Sequence, residues 1–584
     1  MKEDRVKALL HKWCTSLLDT QVHSDDKRLN GALLCPACGK IHGRCFEAMY
    51  PFFEMARETG DEKWIKAAED VFAWSEHTVS LSDGGYINDI DSEWKGITVF
   101  ALIAFLDTLE GYSDLMSDEF RTALYDRAKK AADWIYNENS LLKKNTNYPV
   151  SASYALYRAG LYFEDEKLIE KSKGYEKIIY SVFTENNFVF GEGFQREMRS
   201  DKNLLAVDIG YNVEETLPAI TFLGLLKNDS KLIDLAVKGY DAHLDFMLSD
   251  GAWDNSFGTR NFKWTYWGSR TSDGCAEALL LLKEHNKAFY TAAIKNLELM
   301  EKCTFSGLLA GGPDYEKAGQ PMCIHHSFTH AKVLAGIIKR GLLAKEEESI
   351  SVLPRYERKG LRCYQDLDTF VFSSEHYSAT VTGYDWPYMA AGHTSGGTLS
   401  MLEFIGYGPV LTASIGRYFL KEKNNMQVPY GKLSHECPDF RLSLVEDGTE
   451  FSSRYCDEVK LERLSDSAIK AIGYLQSEDG KEPSCRFQYS IEYQFAENGL
   501  RISIHTDREC LLILPFISYS ESVKVMDDGS FISEKNNKRV ELRRLDSGKI
   551  QVPENPSYFL VPGFMFEHLE LPSTNKSIDF EITL

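Results

Sequence analysis

The chain has 584 residues, of which 43% are hydrophobic and 26% charged, with twelve cysteines and a formal charge of −21. The length is about four times that of a usual domain and the composition is globular, which excludes disorder, collagen and a coiled coil. The negative balance repels nucleic acid and anionic membranes at long range, so neither is an expected partner and only a local basic pocket can hold an anion.

In chain order, the segment from Met1 to Gln21 interrupts its apolar residues with Lys2, Arg5, Lys7, His11 and Lys12, so no uncharged signal core can be drawn in it. A cytoplasmic location with mostly free thiols is expected. Apolar residues at helical spacing predict helices at about 3–22, 45–58, 62–78, 94–110, 117–139, 148–161, 165–183, 208–226, 230–248, 270–285, 288–302 and 325–343. Their connections alternate in length. Tight turns occur at Thr59-Gly60-Asp61, near Gly111 to Ser113, at Phe163-Glu164-Asp165, at Asn228-Asp229-Ser230 and near His285-Asn286, where Gly, Asn, Asp and Ser supply turn and cap chemistry. Long connections lie at about 23–44, 79–93, 140–147, 184–207, 249–269 and 303–324. In consecutive antiparallel helices every second connection emerges at the same end, so the six long loops share one face. An open solenoid would give the same alternation; ligand-type residues crowd those loops, which favours a closed (α/α)6 toroid over 1–345. From about 350 the apolar residues alternate, as in Thr369-Phe370-Val371-Phe372 and Phe487-Gln488-Tyr489-Ser490-Ile491, and predict an antiparallel β-sandwich over 350–584.

The first long loop carries Cys35, Cys38, His42 and Cys45, which could close a tetrahedral zinc site; no second CxxC follows, and reduced thiols packing a loop is the simpler expectation, so no cofactor is assigned. His42 and Arg44 begin the next helix and are expected at the mouth, with Arg44 able to grip a carboxylate bidentately or to form a surface salt bridge. The carboxylates before Trp94 either cap a helix or hold sugar hydroxyls beneath its ring. Asn147, ahead of Tyr148-Pro149, reads as an N-cap. Asp208, Tyr211, Asn212 and Glu215 fall near one helical face, where one carboxylate can tune another or a tyrosine. The fifth loop holds Asp254, Arg260, Lys263, Trp264, Trp267 and Arg270: aromatic faces for pyranose rings, with cations for an acidic sugar. The sixth ends in His325, His326 and His330, one of which could move a proton near neutral pH.

Gly392-His393-Thr394-Ser395-Gly396-Gly397-Thr398-Leu399-Ser400, followed by Gly408-Pro409-Val410-Leu411, resembles the histidine-led strand and Gly-Pro turn of the heparinase II/III-type enzymes, which join a helical toroid to a β-sandwich. His-Thr-Ser-Gly-Gly stands where that group more usually has His-x-His-Ala-Asp, which argues against a metal site in the β-domain. The resemblance implies β-elimination at a uronic acid. It further implies that Asn147 and Arg44 hold the carboxylate, Tyr211 acts as acid/base and His326 assists, with His393 beside the substrate. The expected substrate is a uronate-containing oligosaccharide processed from an end, and a homo-oligomer is compatible with the sequence. Two alternatives remain. One is an exo-acting glycoside hydrolase of β-glucuronidase type, using a pair among Asp208, Glu215, Asp254 and Asp273; the other is a non-catalytic glycan-binding toroid.

Overall fold

Apolar residues at three- and four-residue spacing draw the first part of the chain into helices in a computed structural model that describes residues 1–317, 319, 321–343, 349–386, 395–413, 439–481, 483–517, 524–526, 529–553, 557–560 and 562–584. They are α1 (Glu3–Leu18), α2 (Met49–Thr59), α3 (Glu62–Thr78), α4 (Thr98–Tyr112), α5 (Asp118–Asn137), α6 (Asn147–Tyr162), α7 (Glu166–Ile179), α8 (Ile209–Tyr211), α9 (Leu217–Lys227), α10 (Ser230–His243), α11 (Cys275–Leu281), α12 (Lys287–Lys302) and α13 (Ile324–Lys339). The tight turns carry the expected chemistry. Asp61, Ser117, Asp165, Asp229 and Asn286 each accept a backbone N–H of the helix they open, and Gly60 and Asn228 end helices in the left-handed region.

Six helices form an inner ring, α2, α4, α6, α9, α11 and α13, each packed on the next, and α13 packs back on α2. Each inner helix also packs on an outer one: α3, α5, α7, α10, α12 and, closing the chain on itself, α1 against α13. Burial follows this division. Inner helices α4 and α13 are buried on nearly all sides, whereas outer α5 and α7 bury one stripe. The closed (α/α)6 toroid is therefore the observed architecture.

Two predicted helices differ. The one expected over 208–226 is interrupted by a π-helical turn at Asn212–Thr216. Pro218 has no N–H to bond the carbonyl of Glu214, and that carbonyl instead accepts the backbone N–H of Asp273 at 2.8 Å. The one expected from 270 begins only at Cys275, after Gly274 at φ 129°, a conformation few other residues adopt.

Beyond Pro354 the described strands form two antiparallel sheets, one of ten strands and one of eight. They face each other across an apolar core, where Phe372 of one stacks on Phe495 of the other with ring centroids 4.6 Å apart. The Tyr377 hydroxyl crosses between the sheets to the carbonyls of Ala496 and Gly499. Buried Arg355 joins sandwich to toroid, donating to Ser378, Thr380 and the Asp245 carbonyl, with Asp254 at 3.4 Å. Among the described residues no helix is long and apolar enough to cross a membrane.

Candidate active site

Each of the six long connections, or the helix start it leads into, supplies a wall of one cleft of about 520 Å³. Arg44 comes from the first, Trp94 from the second, Asn147 and Tyr148 from the third, Tyr211 and Glu215 from the fourth, Arg260 and Arg270 from the fifth, and His325 from the sixth. Lys143, Lys144 and Lys263 also line it, which gives six cations. Glu215 is the one carboxylate among the described lining residues. In a chain of charge −21 this is a concentrated positive field, and it suits an anionic ligand.

Asn147 is the first residue of α6 and makes no side-chain cap. Its backbone N–H donates to Glu192 Oε1 at 2.9 Å, and its side-chain amide donates to Glu215, which also accepts from Thr271. The Asn147 Oδ1 is buried without a hydrogen-bond partner. An amide nitrogen carries two N–H groups, so one remains to meet a carboxylate after Glu215 has taken the other. Glu192 is wholly buried, and burial pushes its carboxyl up to about 7 although Arg260 Nη1 lies 3.2 Å from Oε2.

Tyr211 lies under the Arg260 guanidinium, whose central carbon is 4.2 Å from the ring centroid, with the Lys263 ammonium at 5.6 Å. Burial holds its phenol well above the ordinary value, against the pull of Arg260 and Arg270. His325 is displaced the opposite way. Burial, then the charge of Arg270, holds its imidazole well below the ordinary value, and neither ring nitrogen has a hydrogen-bond partner. Near neutrality the cleft therefore presents a protonated phenol and an unprotonated imidazole. Arg44 stays charged: burial opposes this, but Glu47 and Asp273 outweigh it. Its guanidinium sits over Phe100 and is oriented by Glu47. Trp94 is half-buried, donates to the Tyr148 hydroxyl at 2.9 Å and carries the Lys144 ammonium 4.8 Å from its ring centroid.

Several expected site residues lie elsewhere. Trp264 and Trp267 are buried in the core, donating to the carbonyls of Trp253 and Ala310, so neither offers a face to a sugar. Asp254 is wholly buried and held by Ser256, Thr380 and Arg355. Asp208 caps the turn containing Tyr211 and accepts from Asn255 and the Arg260 backbone, which fixes both neighbours without facing the cleft. His326 points away, its ring against Trp267, and burial lowers it to about 3. His42 is buried behind the wall with Nε2 near two thiols, and its ring meets His325 edge-on at 5.4 Å. His393 lies outside the described residues. With Asp208 and Asp254 locked and Asp273 paired to Lys332 and Arg44, no two members of the hydrolase pool face each other across the cleft among the described residues. Lys143, Lys144 and Tyr148 line the cleft without having been among the expected site residues; the Lys-Lys run just before Asn145 is the signal that marks the two lysines.

The model of the ulvan lyase N-terminal domain matches residues 10–356, and that of the ulvan lyase C-terminal domain matches residues 361–584. A broad-specificity ulvan lyase of Formosa agariphila is 34% identical over 587 residues, covering 96% of this chain and 91% of its own. Among solved structures, heparinase III superposes with a TM-score of 0.54 at 12% identity, over 98% of this chain and 84% of its own. The chondroitin AC lyase of Streptomyces coelicolor A3 superposes with a TM-score of 0.55 at 10% identity, over 100% and 79%. These two likenesses are of fold, and the fold is the toroid with a sandwich that the sequence resemblance implied.

Proposed function

Because the chain belongs to the ulvan lyase family and is a polysaccharide lyase acting on uronic-acid-containing glycans, we propose that its cleft binds a uronate of an ulvan-derived chain and that Tyr211 and His325 carry the elimination. The observation that carries this reading is the lining: six cations and one carboxylate around a neutral phenol and a neutral imidazole. Asn147, Arg44 and Arg270 neutralise the sugar carboxylate, so that the charge spreading onto it when C5 loses its proton is stabilised. His325 takes the C5 proton, and its basicity rises when the anionic sugar enters beside it. The electron pair forms the C4–C5 double bond as the C4–O4 bond breaks, and Tyr211 gives its proton to the departing O4. Arg260, over the Tyr211 ring, favours the phenolate left behind. Glu215 orients the Asn147 amide.

The test is incubation with ulvan oligosaccharides, followed by ultraviolet absorbance for the C4–C5 double bond and mass spectrometry for added water. Unsaturated products without added water are expected; saturated products carrying one added water would overturn the reading. All cysteines among the described residues are free, which supports the cytoplasmic location expected from the sequence.

A further inference from the structure

Behind the cleft wall, the first long loop meets the start of the last helix through three sulfurs and one imidazole. Cys35 Sγ lies 3.7 Å from Cys323 Sγ, Cys38 Sγ lies 3.6 Å from His42 Nε2, and Cys323 Sγ lies 3.5 Å from the same nitrogen. The donor atoms of Cys35, Cys38 and His42 all fall within 4.8 Å of one another. A tetrahedral zinc ion with Zn–S of about 2.3 Å and Zn–N of about 2.0 Å requires sulfur–sulfur edges of about 3.8 Å and sulfur–nitrogen edges of about 3.5 Å. Three of the six edges of such a tetrahedron are measured and match those lengths, while Cys323 Sγ lies outside the set of donor atoms that are all within 4.8 Å of one another. We propose that Cys35, Cys38, His42 and Cys323 form a structural Cys3His zinc site that fastens the first loop to the ring-closing helix.

The fourth donor is the one that sequence spacing misplaced. Cys323 Sγ lies 3.5 Å from His42 Nε2 and 3.7 Å from Cys35 Sγ. Cys323 is 281 residues from His42 in the chain but directly precedes α13 and uses no side-chain cap bond there. Two sulfurs converge on one imidazole nitrogen, at 3.6 and 3.5 Å, an arrangement that a shared ion would hold. A Cys35–Cys323 disulfide would leave both Cys38 and His42 unexplained. The site has consequences for the cleft: Arg44 follows His42 by two residues, and His325 follows Cys323 by two. A metal there fixes two lining residues from opposite sides of the ring closure, and His42, once ligated, presents a rigid edge to His325.

The experiment is metal analysis of the full-length protein purified from zinc-supplemented growth, with cobalt(II) exchanged in as a spectroscopic probe. One zinc per chain is expected, together with cobalt bands of a tetrahedral site with three thiolates. Cys323→Ser should lose the metal and Cys45→Ser should keep it, and chelation of the wild type should lower Tm. Wild-type protein that holds no zinc and takes up no cobalt would overturn the proposal. So would a Cys35–Cys323 disulfide found by non-reducing mass spectrometry, or metal lost from Cys45→Ser but retained by Cys323→Ser. The wild-type cobalt spectrum decides the matter even if Cys323→Ser does not fold.

Discussion

Tyr211 and His325 are each displaced by burial toward the neutral form, so in the proposed elimination the phenol holds the proton to be given and the imidazole is free to accept one. Replacing Tyr211 by Phe removes the proposed proton donor and keeps the ring under Arg260. The expected loss in kcat is ~10²–10⁴-fold with KM little changed, measured by absorbance of the unsaturated product. His325→Ala should lose as much, whereas His326→Ala, behind the wall against Trp267, should lower Tm and spare most of kcat. Equal losses in kcat from the two histidine variants would reverse that assignment. Glu192 gives a pH prediction with a definite sign. Its carboxyl ionises near 4.5 when unfolded and near 7 in the fold, so in that window the folded chain holds a proton that the unfolded chain has released. Stability contributed by this group is therefore present at low pH and lost as pH rises to about 7. Glu192→Gln should flatten this fall, read as a smaller difference in Tm between the two ends of the window.

At the scale of an element, the fifth loop is a rigid bed of buried tryptophans carrying cations at its surface. Trp264 and Trp267 fix the backbone by donating to the Trp253 and Ala310 carbonyls, and Asn296 returns a hydrogen bond to the Trp267 carbonyl at 2.7 Å. Trp267→Ala is expected to cost about 3–5 kcal/mol of stability through cavity formation, with KM for uronate oligosaccharides largely retained. Denaturant titration beside steady-state kinetics separates this from sugar stacking, which would raise KM with stability intact. Arg260 and Arg270 sit on that bed and line the cleft. Alanine at either should lower kcat/KM on uronides by ~10-fold or more, and an equal loss on neutral glycans would refute anion recognition.

Across the whole molecule, toroid and sandwich share a buried polar seam around Arg355. Removing this guanidinium strands Asp254 in the seam, where its remaining partners are the hydroxyl and backbone N–H of Ser256 and the hydroxyl of Thr380. Arg355→Ala should therefore cost about 3–5 kcal/mol. Because the seam couples the two parts, calorimetry should also show the unfolding transition broaden or split. One sharp transition at the wild-type Tm would show that the seam contributes nothing.

The chain's local patterns were enough to read the helical period up to the last ring helix, the Asp, Ser and Asn caps at tight turns, the alternation of short and long loops, and the change to strands beyond it. Each of these depends on residues within one or two turns of each other, where backbone sterics and side-chain caps act. Six helix pairs with their long loops on one face followed from them, as did the placing of Asn147, Tyr211, Glu215, Arg260 and Arg270 in or beside those loops; closure into a ring was favoured by the ligand-type residues crowding that face. Which loop residues reach the cleft was decided by partners far away in the chain. Trp264 and Trp267 were drawn inward because the core needed their area and nearby carbonyls could take their N–H groups. Asp254 was captured by Arg355 and Thr380, and one step along α13 sent His325 to the cleft and His326 to the core. Cys323 replaced Cys45 beside His42 for the same reason: ring closure brings the start of the last helix onto the first loop, and a spacing pattern contains no term for a neighbour 281 residues distant.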